Sequence, residues 1–235
     1  LGCDTGVCAS GTTPRKFFYP PSVVPLGATG ATTAYDAVLI GTGDREHPLA
    51  TDSAYNVTNR FYVLKDLKTG MDATGQATIT QTGSSLLHVT ATIPYVDSLT
   101  SRGFYIEFAT GEKAVNAPLT LAGITYFGTN QPSTSLTACA DLGIARGYSV
   151  SLFTGAFTST ILDGGGLPPS PVAGITTVNG KQASFCIGCV TTNIPVCDAN
   201  GKNCTEPPPC DSAIQNCIPP QDGAKKLNRT YWYKK

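Results

Sequence analysis

Along the chain, apolar positions gather into short runs that close on glycine, proline or threonine, and the order of these runs repeats. One set reads FYPPSVVPL, AYDAVLIGTGD and NRFYVLKDLKTG; the next reads NAPLTLAG, ITYFGTNQP and ARGYSVSLFTG. A Pro-containing apolar run, a strand ending in Gly-Thr and an aromatic strand closing on Thr-Gly recur in the same sequence. A weaker third set begins at PPSPVAGITTVNG and continues into QASFCIG. Runs this short, rich in β-branched and aromatic residues, predict strands rather than helices. Self-similarity on this scale predicts supersecondary units that cover one another's faces. The fold class expected is therefore all-β, with each unit a β-propeller blade.

The pattern sets finer expectations. The first unit covers about 17–70, an insertion follows near 71–103, the second unit covers 103–155 and the third about 164–187. AVLIGTG is continuously apolar, as in a strand buried on both faces. In RFYVLKDL, Phe61, Val63 and Asp66 do not alternate cleanly with Tyr62, Leu64 and Lys65, although the composition still favours a strand. YIEF and GYSVSLF alternate with period two, predicting one packed and one wetter face. SSLLHV reads equally as a short helix or as strand. Asn179-Gly180 between two strand-like runs is the strongest hairpin signal in the chain. Residues 1–188 thus hold about three blade units, 189–224 form a Cys- and Pro-rich loop, and 225–235 (KKLNRTYWYKK) form a terminal strand that completes a blade. Propellers usually close with four or more blades, so about three units predict the C-terminal portion of a larger, incomplete propeller.

Composition narrows the function classes. Charged residues make up 14%, with 16 basic against 16 acidic, so no basic field exists to draw in nucleic acid or an anionic membrane surface. No apolar run reaches the length of a membrane-spanning helix. The nine cysteines point to an oxidising compartment. Cys3 with Cys8, Cys197 with Cys204 and Cys210 with Cys217 bound short turn-rich loops suited to local disulfides. Zinc at the CIGC segment is the rival reading, but no second CxxC follows, and His47 and His88 lie far upstream. An odd count leaves one thiol to pair outside the chain or remain free.

Two clusters are candidate sites. Asp44, Arg45, Glu46 and His47 follow directly on a strand, in a place where binding or acid–base groups gather on loops. The same residues also suit an internal role, with Arg45 and Asp44 pairing to fix the loop. Asp198, Asn200, Asn203 and Glu206 carry oxygen donors at calcium-loop-like spacing around Gly201, although only two of them are carboxylates. An Asn-Gly turn within a Cys197–Cys204 loop explains them as well. Tyr231, Trp232 and Tyr233 suit either an adhesive patch or a terminal strand.

The ordered set GTGDREHPL, NRFYVLKD, GFYIEF, YFGT, ARGY and GGGLPPSPVAG resembles the C-terminal propeller of PilY/PilC-type proteins, adhesins and biogenesis factors at the tips of bacterial type IV pili. The resemblance covers about 15–188 and the terminal strand. It implies quinoprotein-like blades and a non-enzymatic role in pilus biogenesis and surface adhesion. The implied partners are minor pilins of the tip complex and a host-cell or abiotic surface, and the implied location is extracellular, reached through the periplasm. Such relatives bind Ca2+ through an Asp-rich DxDxDN-type loop, which has no counterpart between Leu1 and Lys235, so no calcium site is carried over. Two rival functions share the architecture. A periplasmic quinoprotein-type dehydrogenase needs a polar, cation-containing pocket, and no Asp–Glu–Asn set is assignable to one. A carbohydrate-binding propeller needs an aromatic platform in every blade, whereas Trp232 is the only tryptophan.

Overall fold

The apolar runs become strands, and the strands become meanders. A computed structural model describes residues 14–27, 34–67, 86–98, 101–134, 142–178 and 181–190. Its first sheet contains β1 (Ser22–Leu26), β2 (Tyr35–Gly41), β3 (Arg60–Asp66), β4 (Leu87–His88) and β5 (Gly103–Glu107), in the order β1-β2-β3-β5-β4. The pairs β1–β2, β2–β3 and β3–β5 are antiparallel, and β4 adds a short parallel edge. The second sheet contains β6 (Lys113–Ala114), β7 (Leu119–Leu121), β8 (Ile124–Gln131), β9 (Ile144–Ser151) and β10 (Phe157–Leu162). Its order is β10-β9-β8-β6, with β7 also on β8. β11 (Val172–Val178) and β12 (Lys181–Ile187) form a separate two-stranded sheet, with Val178 opposite Lys181 as the hairpin signal predicts. The chain is all-β, apart from one 3-10 turn at Ser53–Asn56 among the described residues. Those residues form meander sheets and do not close a ring.

Several local expectations change. Residues 103–107, which the pattern places in the second unit, pair with β3 and complete the first sheet. SSLLHV resolves as strand at Leu87–His88. β2, expected to be buried on both faces, alternates instead: Tyr35, Ala37 and Leu39 are buried, while Asp36, Val38 and Ile40 are half-buried. The doubly covered strand is β3, whose burial is nearly continuous from Arg60 to Val63. β5 and most of β9 are likewise covered on both faces rather than alternating. A second cluster on the far side of the first sheet, Tyr62, Leu86 and Tyr105 packed by Ile40 and Leu64, explains the covering of β3 and β5. On β9 the second face is polar yet satisfied, with the Ser149 hydroxyl 2.7 Å from that of Thr158.

The main core lies between the two large sheets. Phe61 of β3 stacks on Phe127 of β8 at 3.9 Å between ring centroids, and Phe127 stacks on Tyr148 of β9 at 5.0 Å. Leu39, Phe104, Ile106, Val150 and Leu152 fill in around this column. Burial of each such side chain contributes about 1.5–3 kcal/mol, so the aromatic column is the main tie between the sheets.

The repeated Gly-Thr has a structural meaning. Thr42 follows β2, and its amide bonds the Arg60 carbonyl at 2.9 Å. Thr129 on β8 faces Arg146 on β9 in the same register. In each sheet the segment leaving the last strands crosses beside this glycine. A Cβ on Gly41 would collide with Ala114, and Ala114 N bonds Thr42 O at 3.0 Å. A Cβ on Gly128 would lie 2.5 Å from Pro168, while Asn130 Nδ2 donates to Gly166 O at 2.6 Å. Glycine is favoured here because the Ala114 methyl and the Pro168 ring press directly on the glycine backbone.

Candidate functional site

The loop after β2 carries the charged cluster. Gly43 allows Lys113 to pass, since a Cβ there would lie 2.6 Å from Lys113 Cβ, and Gly43 N bonds the Lys16 carbonyl at 2.9 Å. Asp44 is thereby held buried, 6% exposed, and lines a depression. Its Oδ2 accepts from Lys16 Nζ at 2.6 Å and lies 3.0 Å from His47 Nδ1, while Oδ1 accepts from Glu46 N at 3.2 Å. Arg45 turns away from Asp44 and donates to the Tyr19 hydroxyl at 2.6 Å. The expected Asp44–Arg45 pairing is replaced by Asp44–Lys16, because Arg45 leads outward along an exposed part of the loop.

The 3-10 turn closes the other side. Asp52 Oδ2 accepts from Leu49 N at 3.0 Å, and Tyr55 N donates to Asp52 O at 3.0 Å. Lys16, Asp44, His47, Asp52, Ser53 and Ala54 line the depression. Behind it Lys113 is buried, its ammonium 5.4 Å from the Tyr55 ring centroid and bonded to Gly111 O at 3.2 Å.

Electrostatics follow from this geometry. Burial raises the Asp44 carboxyl, but the hydrogen bonds and charges of Lys16 and His47 outweigh it, and the net shift is downward. The hydrogen bond to Asp44 raises Lys16 against a smaller desolvation effect. Burial lowers Lys113, partly opposed by Asp44 and Asp52. The arrangement holds an ionised carboxylate, an imidazole and an ammonium within reach of one solvent-open depression.

No protein-family model matches the chain, and no curated protein matches it in sequence. Among solved structures, the C-terminal domain of PilY1 from Pseudomonas aeruginosa is similar at 13% identity and a TM-score of 0.49, over 78% of this chain and 47% of that one. The chain thus spans about half the length of that domain. A likeness of this size identifies neither a family nor an activity. No helix among the described residues is long and apolar enough to cross a membrane.

The structure brings Asp44, Glu46 and His47 together, with their donor atoms all within 4.8 Å of one another. Asp198, Asn200, Asn203, Glu206, the cysteines at 3, 8, 197, 204, 210 and 217, and Tyr231–Tyr233 lie outside the described residues. Cys186 and Cys189 of CIGC, weighed between zinc and disulfide, form a disulfide. Lys16, Asp52 and Lys113 were not singled out from the sequence. Lys16 and Lys113 reach the loop only through tertiary approach, which no local spacing encodes. Asp52 had a local signal, a polar residue directly ahead of the short turn Ser53–Asn56.

Proposed function

We propose that this chain is the blade-bearing part of an extracellular, type IV pilus-associated protein that acts by binding rather than by catalysis. It supports pilus biogenesis and adhesion, with minor pilins as one partner and a host-cell or abiotic surface as the other. The observation that carries this reading is the equivalence of the two large sheets. β1-β2-β3-β5 and β7-β8-β9-β10 are successive four-stranded antiparallel meanders, the strand count of a propeller blade. The segments that resemble the pilus-tip family occupy matching places in them. GTGD closes β2 as YFGT forms the end of β8, NRFYVLKD makes β3 as ARGY makes β9, and GGGLPPSPVAG crosses from the second sheet into β11. β11–β12 supplies the start of a third unit.

The test is deletion of the complete gene in its native bacterium, followed by imaging of surface pili and assays of twitching and attachment. Loss of piliation or attachment, restored by the wild-type gene, is expected. Unchanged piliation, twitching and attachment would overturn the reading. Dye-linked oxidation by the complete protein, with a quinone chromophore, would replace it with the dehydrogenase alternative.

A further inference from the structure

We propose that the Cys186–Cys189 disulfide is a reducible latch, opened by a dithiol, that seats the β11–β12 hairpin on the second sheet. The proposal is independent of the pilus reading and rests on how the chain enters β11 and leaves β12. Gly128 of β8 stands directly opposite Gly147 of β9. Residues opposite each other in an antiparallel pair share one face, so the two glycines form a bare strip across both strands. The flanks of the hairpin fill that strip. A Cβ on Gly128 would lie 2.5 Å from Pro168, ahead of β11, and a Cβ on Gly147 would collide with Val190, beyond β12. At Gly147 the three nearest atoms all belong to Val190. A two-stranded hairpin is marginally stable alone in water, so these seats matter to it.

The two seats are held differently. Beside Pro168, the Pro169 carbonyl accepts from Asn116 Nδ2 at 3.2 Å, and Asn116 Oδ1 accepts from Gly128 N at 2.7 Å. Val190 instead depends on the turn that reverses the chain after Ile187. There Gly188 takes φ +79° against the backbone of Pro169, Ser170 and Pro171, and the disulfide joins Cys186 to Cys189 across it. Both cysteines are half-buried, and Ile187 between them is 59% exposed, so a small reductant reaches the bond in the folded chain. One thiolate of the dithiol attacks a sulfur of the bond and forms a mixed disulfide, and its second thiolate displaces the protein sulfur. The dithiol is oxidised to its own disulfide, and its two electrons and two protons leave Cys186 and Cys189 as thiols. Glycine 188 then regains its conformational freedom, and Val190 is no longer fixed over Gly147.

The test uses the full chain, with dithiothreitol as the dithiol. Native protein is reduced, alkylated and mapped by mass spectrometry, and Cys186 and Cys189 are expected to be labelled while the sheets remain folded. A bond that opens only across the urea unfolding transition would overturn the proposal. A second arm reads the urea midpoint of Gly147→Ala in two backgrounds. With the disulfide intact, the added methyl meets Val190 and is expected to lower the midpoint, and Val190→Ala is expected to restore it. In the Cys186→Ser, Cys189→Ser background, which removes this bond alone, the loss caused by Gly147→Ala is expected to shrink by about half or more. A loss of equal size with and without the bond would mean that Val190 is seated regardless of the disulfide, and would overturn the latch.

Discussion

The hydroxyl of Thr129 donates to Glu112 Oε1 at 2.5 Å, and that bond ties the crossing segment between the sheets to the C-terminal part of β8. Glu112 is 1% exposed. The Tyr148 hydroxyl also donates to Oε1, at 3.0 Å, Ala109 N donates to Oε2 at 3.2 Å, and Arg146 Nη1 lies 3.5 Å from Oε2. A buried carboxylate so fully paired is costly to break, since truncation strands its donors and Arg146. Glu112→Ala is expected to destabilise the fold by about 3–5 kcal/mol. Thr129→Val, which removes one charge-assisted bond, is expected to cost about 2 kcal/mol. Urea unfolding checks both, and an alanine variant no less stable than the valine one would refute the hub.

The aromatic column gives a second expectation. Phe61 and Phe127 are nearly parallel, at 7° between ring planes. Phe127→Ala is expected to cost about 3–5 kcal/mol, from lost transfer free energy and the cavity left behind. With Phe61→Ala added, the double mutant is expected to lose less than the sum of the two, by about 0.5–1.5 kcal/mol. Strict additivity in denaturant unfolding would mean that the rings do not interact directly.

The strand content and the recurrence of units were readable from apolar runs, and the hairpin at β11–β12 from its turn residues. Burial is not legible in the sequence where charge is hidden. Arg60 is buried on β3 because its Nε donates to Glu107 Oε1 at 2.9 Å while its guanidinium lies 4.3 Å from the Tyr105 ring centroid. Lys65 is buried with Asp97 at 2.6 Å and the Tyr35 ring at 4.5 Å. Such residues look like solvent positions in a linear pattern, so β3 read as irregular. The Asp44 loop was visible because its charges are contiguous. Its Lys16 partner comes from 28 positions upstream and is seated by folding alone.

Gly41 and Gly27 offer a paired comparison. A Cβ at Gly41 would meet Ala114, whereas at Gly27 nothing lies within 4 Å. Gly41→Ala is expected to cost about 1–3 kcal/mol through overpacking at the sheet crossing. Gly27→Ala is expected to change stability by less than about 0.5 kcal/mol. Equal effects in thermal or urea unfolding would mean that the close approach at Gly41 does not constrain the fold.

On the alkaline side, burial, reinforced by Asp97, pushes the Tyr35 hydroxyl from an ordinary 10.0 up to about 12. The raised value means that folding favours the neutral phenol. This contribution is present below pH 10 and is lost as pH rises from the unfolded value through about 12. Tyr35→Phe is expected to flatten part of the stability decline in that window. An unchanged slope in unfolding titrations would assign the alkaline loss to other groups.

Asp44 sets the acid limb. Its ordinary value is 3.8, and in the folded chain Lys16 and His47 draw it lower despite burial. A depressed carboxyl contributes stability fully above its unfolded value, and the contribution fades as pH falls from there through the folded one. Asp44→Asn is therefore expected to be less stable than wild type at neutral pH. The gap should narrow below about pH 3.8, where wild-type Asp44 is itself neutralised. Lys16→Ala should reduce the same acid-side slope without abolishing it, because His47 remains beside the carboxylate at 3.0 Å. A gap between wild type and Asp44→Asn that stays constant from pH 7 to pH 3 would show that the Asp44 charge contributes nothing to holding the loop.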